Sequence, residues 1–582
     1  MKQSTNGKRT SQSFLEGALI LSLATIIVKL IGAFFKIPLG NLLQEEGFAY
    51  FNVAYNIFTP LYSLAMAGLP VAVARIVSEN ATLEKYRDVR KILRISTAAF
   101  TVTGGVCSLI MILGARVYSS KIVETPAAFL SIICLAPAVF FCCMMSSRRG
   151  YYEGLKNMYP TAISQVIEAI AKLVLGLLLS WVIIYVGTSQ YQNGGVVFGT
   201  ACDSEKEAMS IIYPFASAAA ILGITLSTVF GAAYLHIRYR IKGDSITPQM
   251  LASAPAARSG KEILRSIMAI AIPVSLGTLT TTLTSFIDSS SIVNRLKNVM
   301  EVDGQTIINM YSGITEVAND IPDFIYGAYC YAISIFNLVP SITTTFAISA
   351  LPAVTAAWTL RDKDKTKQSI ETVLRITSLV ALPAGVGISV MAKPILQILY
   401  PERTLGIEIA APALTLLGIA VIFVALLAPI NSMLQAVGRA DIPVKLMLIG
   451  GAIKIVTNFV LVSVPEINVK GAPVGTLLCY VFLFFASMYF VCKQTELVPN
   501  IKATFLKPFA AAAVCAVAAF LSHKLFDMLI GGRIATVISI IFAVIIYAIC
   551  LLLFRVLTKD DINMLPKGKK FVKILEKYRL IG

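Results

Sequence analysis

Ionisable residues inside apolar stretches are the residues of this sequence most able to do chemistry. Lys29 and Lys36 lie seven residues apart in the first apolar stretch, which places both on one helix face with Gly32 between them. Lys454 lies in a later apolar stretch. An ionised group at the bilayer centre costs roughly 2.5 to 3.5 kcal/mol, so such groups normally face a cavity or a partner. A cavity lined by these lysines would attract a phosphate or pyrophosphate, because ammonium groups act as point charges for such anions.

Further polar residues belong to the same predicted cavity. Glu168 and Lys172 are four residues apart in one apolar stretch, a spacing that favours pairing with each other along a helix. Lys172 is also a candidate cavity cation, and Glu168 is the candidate residue for a coupling ion. Asn56 and Asn337 would add neutral hydrogen-bonding groups. For Lys36 the alternative is that it extends from a helix end to the lipid headgroups.

The composition indicates the environment of these residues. Of the 582 residues, 57% are hydrophobic and 14% charged, with a mean hydropathy of +0.77, which is more apolar surface than one soluble core could bury. Stretches of about 20 apolar residues recur along the chain, each able to cross roughly 30 Å of hydrocarbon. The sequence therefore predicts an all-α polytopic membrane protein of about fourteen transmembrane helices. The predicted spans are 14–40, 48–74, 95–115, 126–147, 160–186, 210–236, 266–288, 326–356, 372–392, 408–434, 446–464, 472–492, 508–528 and 534–556.

The charge of the connections predicts the orientation. Lys and Arg accumulate in every second connection, as in 75–94 and 238–265, whereas the others, including the long segment 289–325, are poor in cations. Because cytoplasmic loops retain positive charge, both termini are predicted to be cytoplasmic. The net charge of +18 follows from this asymmetry and from attraction to anionic membrane lipids, so it does not indicate nucleic-acid binding.

Motifs of catalysis and metal binding are missing from the sequence. The ten cysteines form no CxxC pair, only two histidines exist, and neither HExxH nor a Gly-rich phosphate loop occurs. We therefore expect no catalytic residue, no metal and no cofactor, and a protein that is not an enzyme. Energy for transport would come from gradients or from substrate supply.

An internal duplication predicts two lobes. Asn56, Pro60 and Leu69-Pro70 recur in order as Asn337, Pro340 and Leu351-Pro352, and Lys172 recurs as Lys454, all at offsets of 280 to 282 residues. Helices one to six would repeat as seven to twelve about an axis along the membrane normal. The predicted domains are an N-lobe (1–243), a C-lobe (244–492), helices 13 and 14 (493–556) and a basic amphipathic cytoplasmic tail (557–582). The predicted hinge or gating residues are Gly32, Pro60, Pro70, Pro340 and Pro352.

Three segments resemble a known transporter family. They are Lys29-Leu-Ile-Gly32-Ala-Phe-Phe-Lys36, Gly68-Leu-Pro-Val-Ala-Val-Ala-Arg75 and Arg149-Gly-Tyr-Tyr-Glu-Gly154. They resemble the stage V sporulation protein B and polysaccharide-biosynthesis branch of the multidrug/oligosaccharidyl-lipid/polysaccharide (MOP) exporter superfamily, which includes MurJ-type lipid II flippases. The resemblance implies a two-lobed fold of fourteen helices, a central cationic cavity, and a groove for an undecaprenyl tail formed by helices 13 and 14.

One motif of that family is altered here. MurJ proteins of the Gram-negative type carry Arg-x-x-Gly in helix one, where this chain has Lys29 before Gly32, and the Arg and Asp that follow are replaced by Phe35 and Lys36. The charge at the first position is kept while its geometry changes. Only Lys29 and Gly32 are carried over from the family individually.

The resulting functional expectation is a flippase of the bacterial cell membrane. A monomer would translocate an undecaprenyl-pyrophosphate-linked glycan, lipid II or a related precursor, from the inner to the outer leaflet by alternating access. One alternative is a cation-coupled multidrug exporter, for which Glu168 and Asp288, the latter expected at a helix end, are the acids available. Another is a membrane-embedded glycosyltransferase that holds a metal with Asp320 and Asp323. Whether a coupling ion takes part stays open.

Overall fold

The part of the chain that the structure describes, residues 14–66 and 68–556 of a computed structural model, is almost entirely α-helical. The helices are α1 (Phe14–Met66), α2 (Gly68–Thr82), α3 (Tyr86–Val117), α4 (Phe129–Gly154), α5 (Tyr159–Gly194), α6 (Glu205–Lys242), α7 (Pro248–Ser253), α8 (Gly260–Met310), α9 (Ile314–Val317), α10 (Ile321–Phe336), α11 (Leu338–Thr359), α12 (Lys363–Val390), α13 (Ala392–Leu399), α14 (Thr404–Ala436), α15 (Asp441–Leu461), α16 (Gly471–Thr495), α17 (Lys507–Leu529) and α18 (Gly532–Leu553). The predicted amphipathic tail, 557–582, lies outside the described residues.

A two-stranded hairpin is the exception to the predicted all-α class. Strands β1 (Val196–Val197) and β2 (Thr200–Ala201) pair antiparallel in the connection between α5 and α6. The turn residues Phe198 and Gly199 adopt positive φ angles of 48° and 91°. Glycine tolerates its angle without steric cost, whereas Phe198 is a side-chain-bearing residue in the left-handed region.

Every predicted span is mostly helical, and the predicted class of helical membrane protein is confirmed. Twelve helical stretches of the described chain are long and apolar enough to cross a membrane. One of them runs over 60 residues, Leu23–Thr82, about 90 Å at 1.5 Å per residue and so roughly three times the hydrocarbon thickness. The helical geometry breaks within it at Gln44 (φ 57°, ψ −165°), between predicted spans one and two. The number fourteen itself stays a prediction.

The segment 289–325, predicted as a long connection between two spans, is largely helical. Helix α8 continues through it to Met310, with non-helical angles only at Asp303. Ile292, Leu296 and Val299 recur at helical spacing and are almost fully buried. This stretch is amphipathic rather than uniformly apolar, so a search for apolar stretches missed it.

The predicted eighth span is divided at Asn337, where α10 ends and α11 begins. Pro340 follows three residues later. Because proline has no N–H, it cannot donate to the carbonyl of Phe336, the last residue of α10. In the first half, by contrast, the helix continues through Pro60.

The chain forms two compact units. Unit 1 contains the chain up to Phe35 and Val53–Phe286, and unit 2 contains Lys36–Asn52 and the chain from Ile287. The units therefore divide within α8, whereas the sequence placed its lobe boundary between 243 and 244. The two-lobe repeat stays a prediction.

Glycines allow close helix packing inside each unit. In unit 1 a Cβ on Gly223 of α6 would lie 2.4 Å from the backbone nitrogen of Gly176 on α5. In unit 2 a Cβ on Gly418 of α14 would lie 2.6 Å from the nitrogen of Ser389 on α12. Small residues let backbones approach, and such packing is a main source of helix association in lipid.

Candidate functional site

The predicted site residues are distributed over both units. Unit 1 holds Lys29, Gly32, Asn56, Pro60, Pro70, Glu168 and Lys172, and unit 2 holds Lys36, Asn337, Pro340, Pro352 and Lys454.

Lys172 of α5 lies against aromatic rings in unit 1. Its Nζ is 5.1 Å from the centre of the Phe35 ring and 5.2 Å from that of Tyr55. A ring face attracts a cation through its quadrupole without neutralising it. Gly176, one turn further along α5, makes room for this arrangement, because a Cβ there would lie 2.7 Å from Cε2 of Phe35.

Glu168 has a different partner from the one predicted. Its Oε2 pairs with Nη2 of Arg149 at 2.9 Å, and Nε of Arg149 donates to Oγ of Ser164, also at 2.9 Å. The predicted pairing of Glu168 with Lys172 was therefore wrong. The physical reason is that Arg149 belongs to the last turns of α4, not to a loop, and its side chain is buried, so its guanidinium needs this carboxylate.

Lys454 of α15 has no acid one turn away on its own helix, but it is paired with an acid of α8. Its Nζ lies 2.6 Å from Oδ2 of Asp288, and the two side chains are only 4% and 14% exposed. Asp288 does not lie at a helix end, because α8 continues to Met310. Nδ2 of Asn458, one turn after Lys454, donates to Asp288 Oδ1 at 3.3 Å and to Ser291 Oγ at 3.0 Å.

The packing around this pair is close. A Cβ on Gly475 of α16 would lie 2.7 Å from Oδ1 of Asn458, an atom that has no hydrogen-bond donor among the described residues. The pair as a whole has no net charge. Lys454 is thus less suited than Lys172 to attract an anion.

The lysines of α1 are both half-buried. A Cβ on Gly32, which lies between them, would meet no atom within 4 Å, so this helix face borders open space. Lys29 belongs to unit 1 and Lys36 to unit 2. A cavity shared by both lysines stays a prediction.

The remaining predicted residues have the following positions. Asn56 is half-buried on α1, and Asn337 is exposed at the junction of α10 and α11. Pro70 lies in α2, and Pro352 in α11. Their roles in binding or gating stay predictions.

Asp320 and Asp323, the acids of the glycosyltransferase alternative, have structural contacts. Oδ1 of Asp320 accepts from the backbone N–H of Asp323 at 3.1 Å and so caps α10. Nζ of Lys297 lies 3.4 Å from Asp320 and 3.9 Å from Asp323. Among the described residues, no group of three or more His, Cys, Asp or Glu side chains could hold a metal ion.

Two segments of the chain match two protein families. Residues 14–201 match the family described as "Polysaccharide biosynthesis protein", and residues 325–539 match "Lipid II flippase MurJ". The lipid II flippase MurJ of Bacillus subtilis (strain 168) is 25% identical over 482 residues, 81% of each chain. Stage V sporulation protein B of the same organism is 22% identical over 565 residues, 95% of this chain and 98% of that one.

Solved structures share the fold. A lipid II flippase MurJ in an inward closed conformation superposes with a TM-score of 0.60 at 14% identity, covering 92% of this chain and 98% of the other. A multidrug resistance MATE family transporter of the MOP superfamily superposes with a TM-score of 0.57 at 14% identity, covering 82% of this chain and 99% of the other.

The chain shares the fold of these solved transporters. Its sequence resembles MurJ and stage V sporulation protein B, as the three sequence segments indicated. The protein is a multi-pass membrane protein similar to transporters rather than to enzymes.

Proposed function

We propose that this protein is a flippase that moves an undecaprenyl-pyrophosphate-linked glycan from the inner to the outer leaflet of a bacterial cytoplasmic membrane. The proposal includes a monomer with both termini in the cytoplasm. Similarity to MurJ and to stage V sporulation protein B over most of the chain supports this class of substrate. Which glycan is attached to the pyrophosphate is not part of the proposal.

The observation that best supports an anionic substrate is the environment of Lys172. Among the described residues it forms no ion pair, and its ammonium lies against Phe35 and Tyr55. A half-buried cation held by neutral rings keeps its charge available to an incoming phosphate oxygen. Lys29, which lies in the same unit, would supply a second positive charge for the phosphate.

The proposed cycle begins with the inward-open state. The lysines bind the pyrophosphate at the cytoplasmic side, and the lobes then rock to expose it to the outer leaflet. The helix interruption at Asn337 and Pro340 would accommodate part of this motion. Neutralisation of the pyrophosphate by the lysines lowers the cost of moving its charge through the membrane.

The multidrug exporter is the competing function, since MATE transporters share the fold. A cation-coupled exporter needs an intramembrane carboxylate that can bind its coupling ion. Glu168 is paired with Arg149 and Asp288 with Lys454. Because these two acids are already neutralised by side chains of the protein, this feature favours the flippase.

The decisive experiment measures lipid II at the outer leaflet. A bacterial host is depleted of its own flippases and expresses the wild type, Lys172→Gln, Lys29→Gln, or the control Lys365→Gln, which changes an exposed lysine near the start of α12. The amount of lipid II accessible to an external reagent is then compared at equal levels of inserted protein. Wild type and control should restore access, and both cavity variants should reduce it strongly.

Two outcomes would contradict the proposal. A well-inserted wild type that restores no access and exports cationic dyes would replace the flippase by the exporter, whereas failure with lipid II alone would exclude only that glycan. Equal activity of the wild type and both cavity variants would exclude a role of these lysines in binding the pyrophosphate.

A further inference from the structure

Unit 2 contains an apolar slot that the proposed flipping cycle does not use. Its cavity of about 530 Å³ is lined by α12, α14, α16, the connection after α16 and the start of α17. Its volume lies within the roughly 300 to 1,000 Å³ typical of small-molecule sites. Helix α18 contributes no lining residue, so the slot differs from the groove expected between helices 13 and 14.

The slot has a buried floor and an exposed rim. Leu426 and Phe484 on the floor are 2% and 8% exposed, whereas Phe485, Val498 and Ile501 on the rim are more than 60% exposed. Every lining side chain is apolar. Water would gain no hydrogen bond there, whereas a hydrocarbon chain would bury its surface against the walls.

Aromatic rings give the floor a fixed shape. The Phe484 ring centre lies 5.6 Å from that of Phe423 and 6.0 Å from that of Phe505. These contacts join α14, α16 and the short π-helix Lys502–Leu506. The walls therefore come from packed elements, which favours a preformed site.

The length of the slot matches one leaflet. Its lining on α16 extends from Phe484 to Cys492, which is about 12 Å at 1.5 Å per residue. One leaflet contributes about 15 Å of hydrocarbon. Tyr489 and Lys493, whose Nζ is 5.9 Å from the Tyr489 ring, lie beside Cys492 in the sequence and are residue types typical of the headgroup level.

Three lysines are sequence neighbours of the lining residues. Lys493, Lys502 and Lys507 each directly follow or precede a lining residue, and all three are exposed. The described residues give none of them an ion pair, unlike nearby Lys363, which pairs with Glu496 at 2.7 Å. Clusters of cytoplasmic lysines beside a membrane helix attract anionic headgroups.

We propose that this slot binds one acyl chain of an anionic phospholipid of the inner leaflet, with its phosphate among Lys493, Lys502 and Lys507. The chemistry is that of phosphatidylglycerol. A polyprenyl tail is far longer than the slot, so it is the less suitable occupant. The inference uses the proposed orientation of the chain but not the identity of the flipped substrate.

The test measures lipid bound to the full-length protein. Wild type and variants are reconstituted with equal amounts of phosphatidylglycerol and phosphatidylcholine, extracted in mild detergent, and analysed for retained lipid by native mass spectrometry. The wild type should retain about one phosphatidylglycerol. Cys492→Trp, which fills the slot at its mouth, should abolish retention, whereas the control Val456→Trp on the exposed face of α15 should not.

A second variant leaves the apolar walls unchanged. Replacement of the three lysines by glutamine should reduce the preference for phosphatidylglycerol over phosphatidylcholine by at least about tenfold. Equal retention by the wild type and Cys492→Trp, unchanged preference in the lysine variant, or displacement of the phospholipid by undecaprenyl phosphate would each overturn the proposal. Because flipping is measured separately, failure here leaves the proposed function untouched.

Discussion

Lys172 and Lys454 occupy corresponding positions of the predicted repeat, 282 residues apart, yet their environments differ. Lys172 lies against the rings of Phe35 and Tyr55. Lys454 is buried and paired with Asp288 at 2.6 Å. One unit thus keeps an available cation where the other contains a neutral ion pair.

The difference separates two uses of a charged residue in a membrane. A buried pair rarely adds net stability, but removing one partner leaves a charge without compensation, so each member depends on the other. A cation over ring faces is held weakly and can also contact a ligand. We therefore expect removal of Lys454 to lower the stability of unit 2, and removal of Lys172 to impair transport.

The largest effect is expected for Lys454→Ala. Asp288 would remain buried without its partner, which typically destabilises a protein by about 3 to 5 kcal/mol. The free energy of unfolding in micelles, measured by denaturant titration, should fall by this amount.

The control for Lys454→Ala is a double variant that replaces both charged residues of the pair. Lys454→Met combined with Asp288→Leu should recover most of the lost stability, because apolar residues of similar volume replace a buried pair at little cost. A double variant as unstable as Lys454→Ala would contradict the view that the pair is mainly structural. Loss of flipping in a stable double variant would instead give the pair a role in transport.

Lys172→Gln should show the opposite pattern. Loss of a charge-assisted contact to the substrate costs about 2 kcal/mol, or roughly thirtyfold in apparent affinity, while stability changes by less than about 1 kcal/mol. Transport measured against lipid II concentration in vesicles checks the first value, and denaturant titration checks the second. Large destabilisation with unchanged affinity would reverse the roles of the two lysines.

Much of the fold could be predicted because apolar stretches of bilayer length leave few alternatives to helices. The continuation of α8 to Met310 was missed because Ile292, Leu296 and Val299 form a stripe rather than a continuous apolar stretch. The hairpin at Val196–Ala201 is too short for alternation to reveal.

The site was predicted less well, because residue types are visible in a sequence whereas partners are not. Lys454 was recognised as an intramembrane charge, but Asp288 is 166 residues away and was placed at a helix end. Arg149 lies just beyond the predicted span 126–147, and spacing alone made Lys172 the expected partner of Glu168. Ser164 accepts a hydrogen bond from Arg149, but a serine one turn before Glu168 does not by itself indicate a guanidinium partner.

Glu168→Gln should have an intermediate effect. The amide can still accept a hydrogen bond from Arg149, but the charge is lost, and the 24% exposure of the Glu168 side chain moderates the cost to about 1 kcal/mol of stability. Flipping should persist, because Lys172 is unchanged. Retained stability with complete loss of transport would instead identify Glu168 as a residue that binds a coupling ion.

The smallest effect is expected for Tyr55→Leu, which keeps an apolar side chain beside Lys172 and removes one of its two ring faces. Because the Phe35 ring remains 5.1 Å from the Lys172 ammonium, the free energy of unfolding should fall by only about 0.5 to 1 kcal/mol. A double-mutant cycle with Lys172→Gln isolates the interaction, since the ring contributes a cation–π energy only when the ammonium is present. The coupling should appear in stability, and Tyr55→Leu alone should leave the apparent affinity for lipid II within about threefold of the wild-type value. A coupling of zero would mean that the Tyr55 ring only fills space beside Lys172 and that another group stabilises the ammonium.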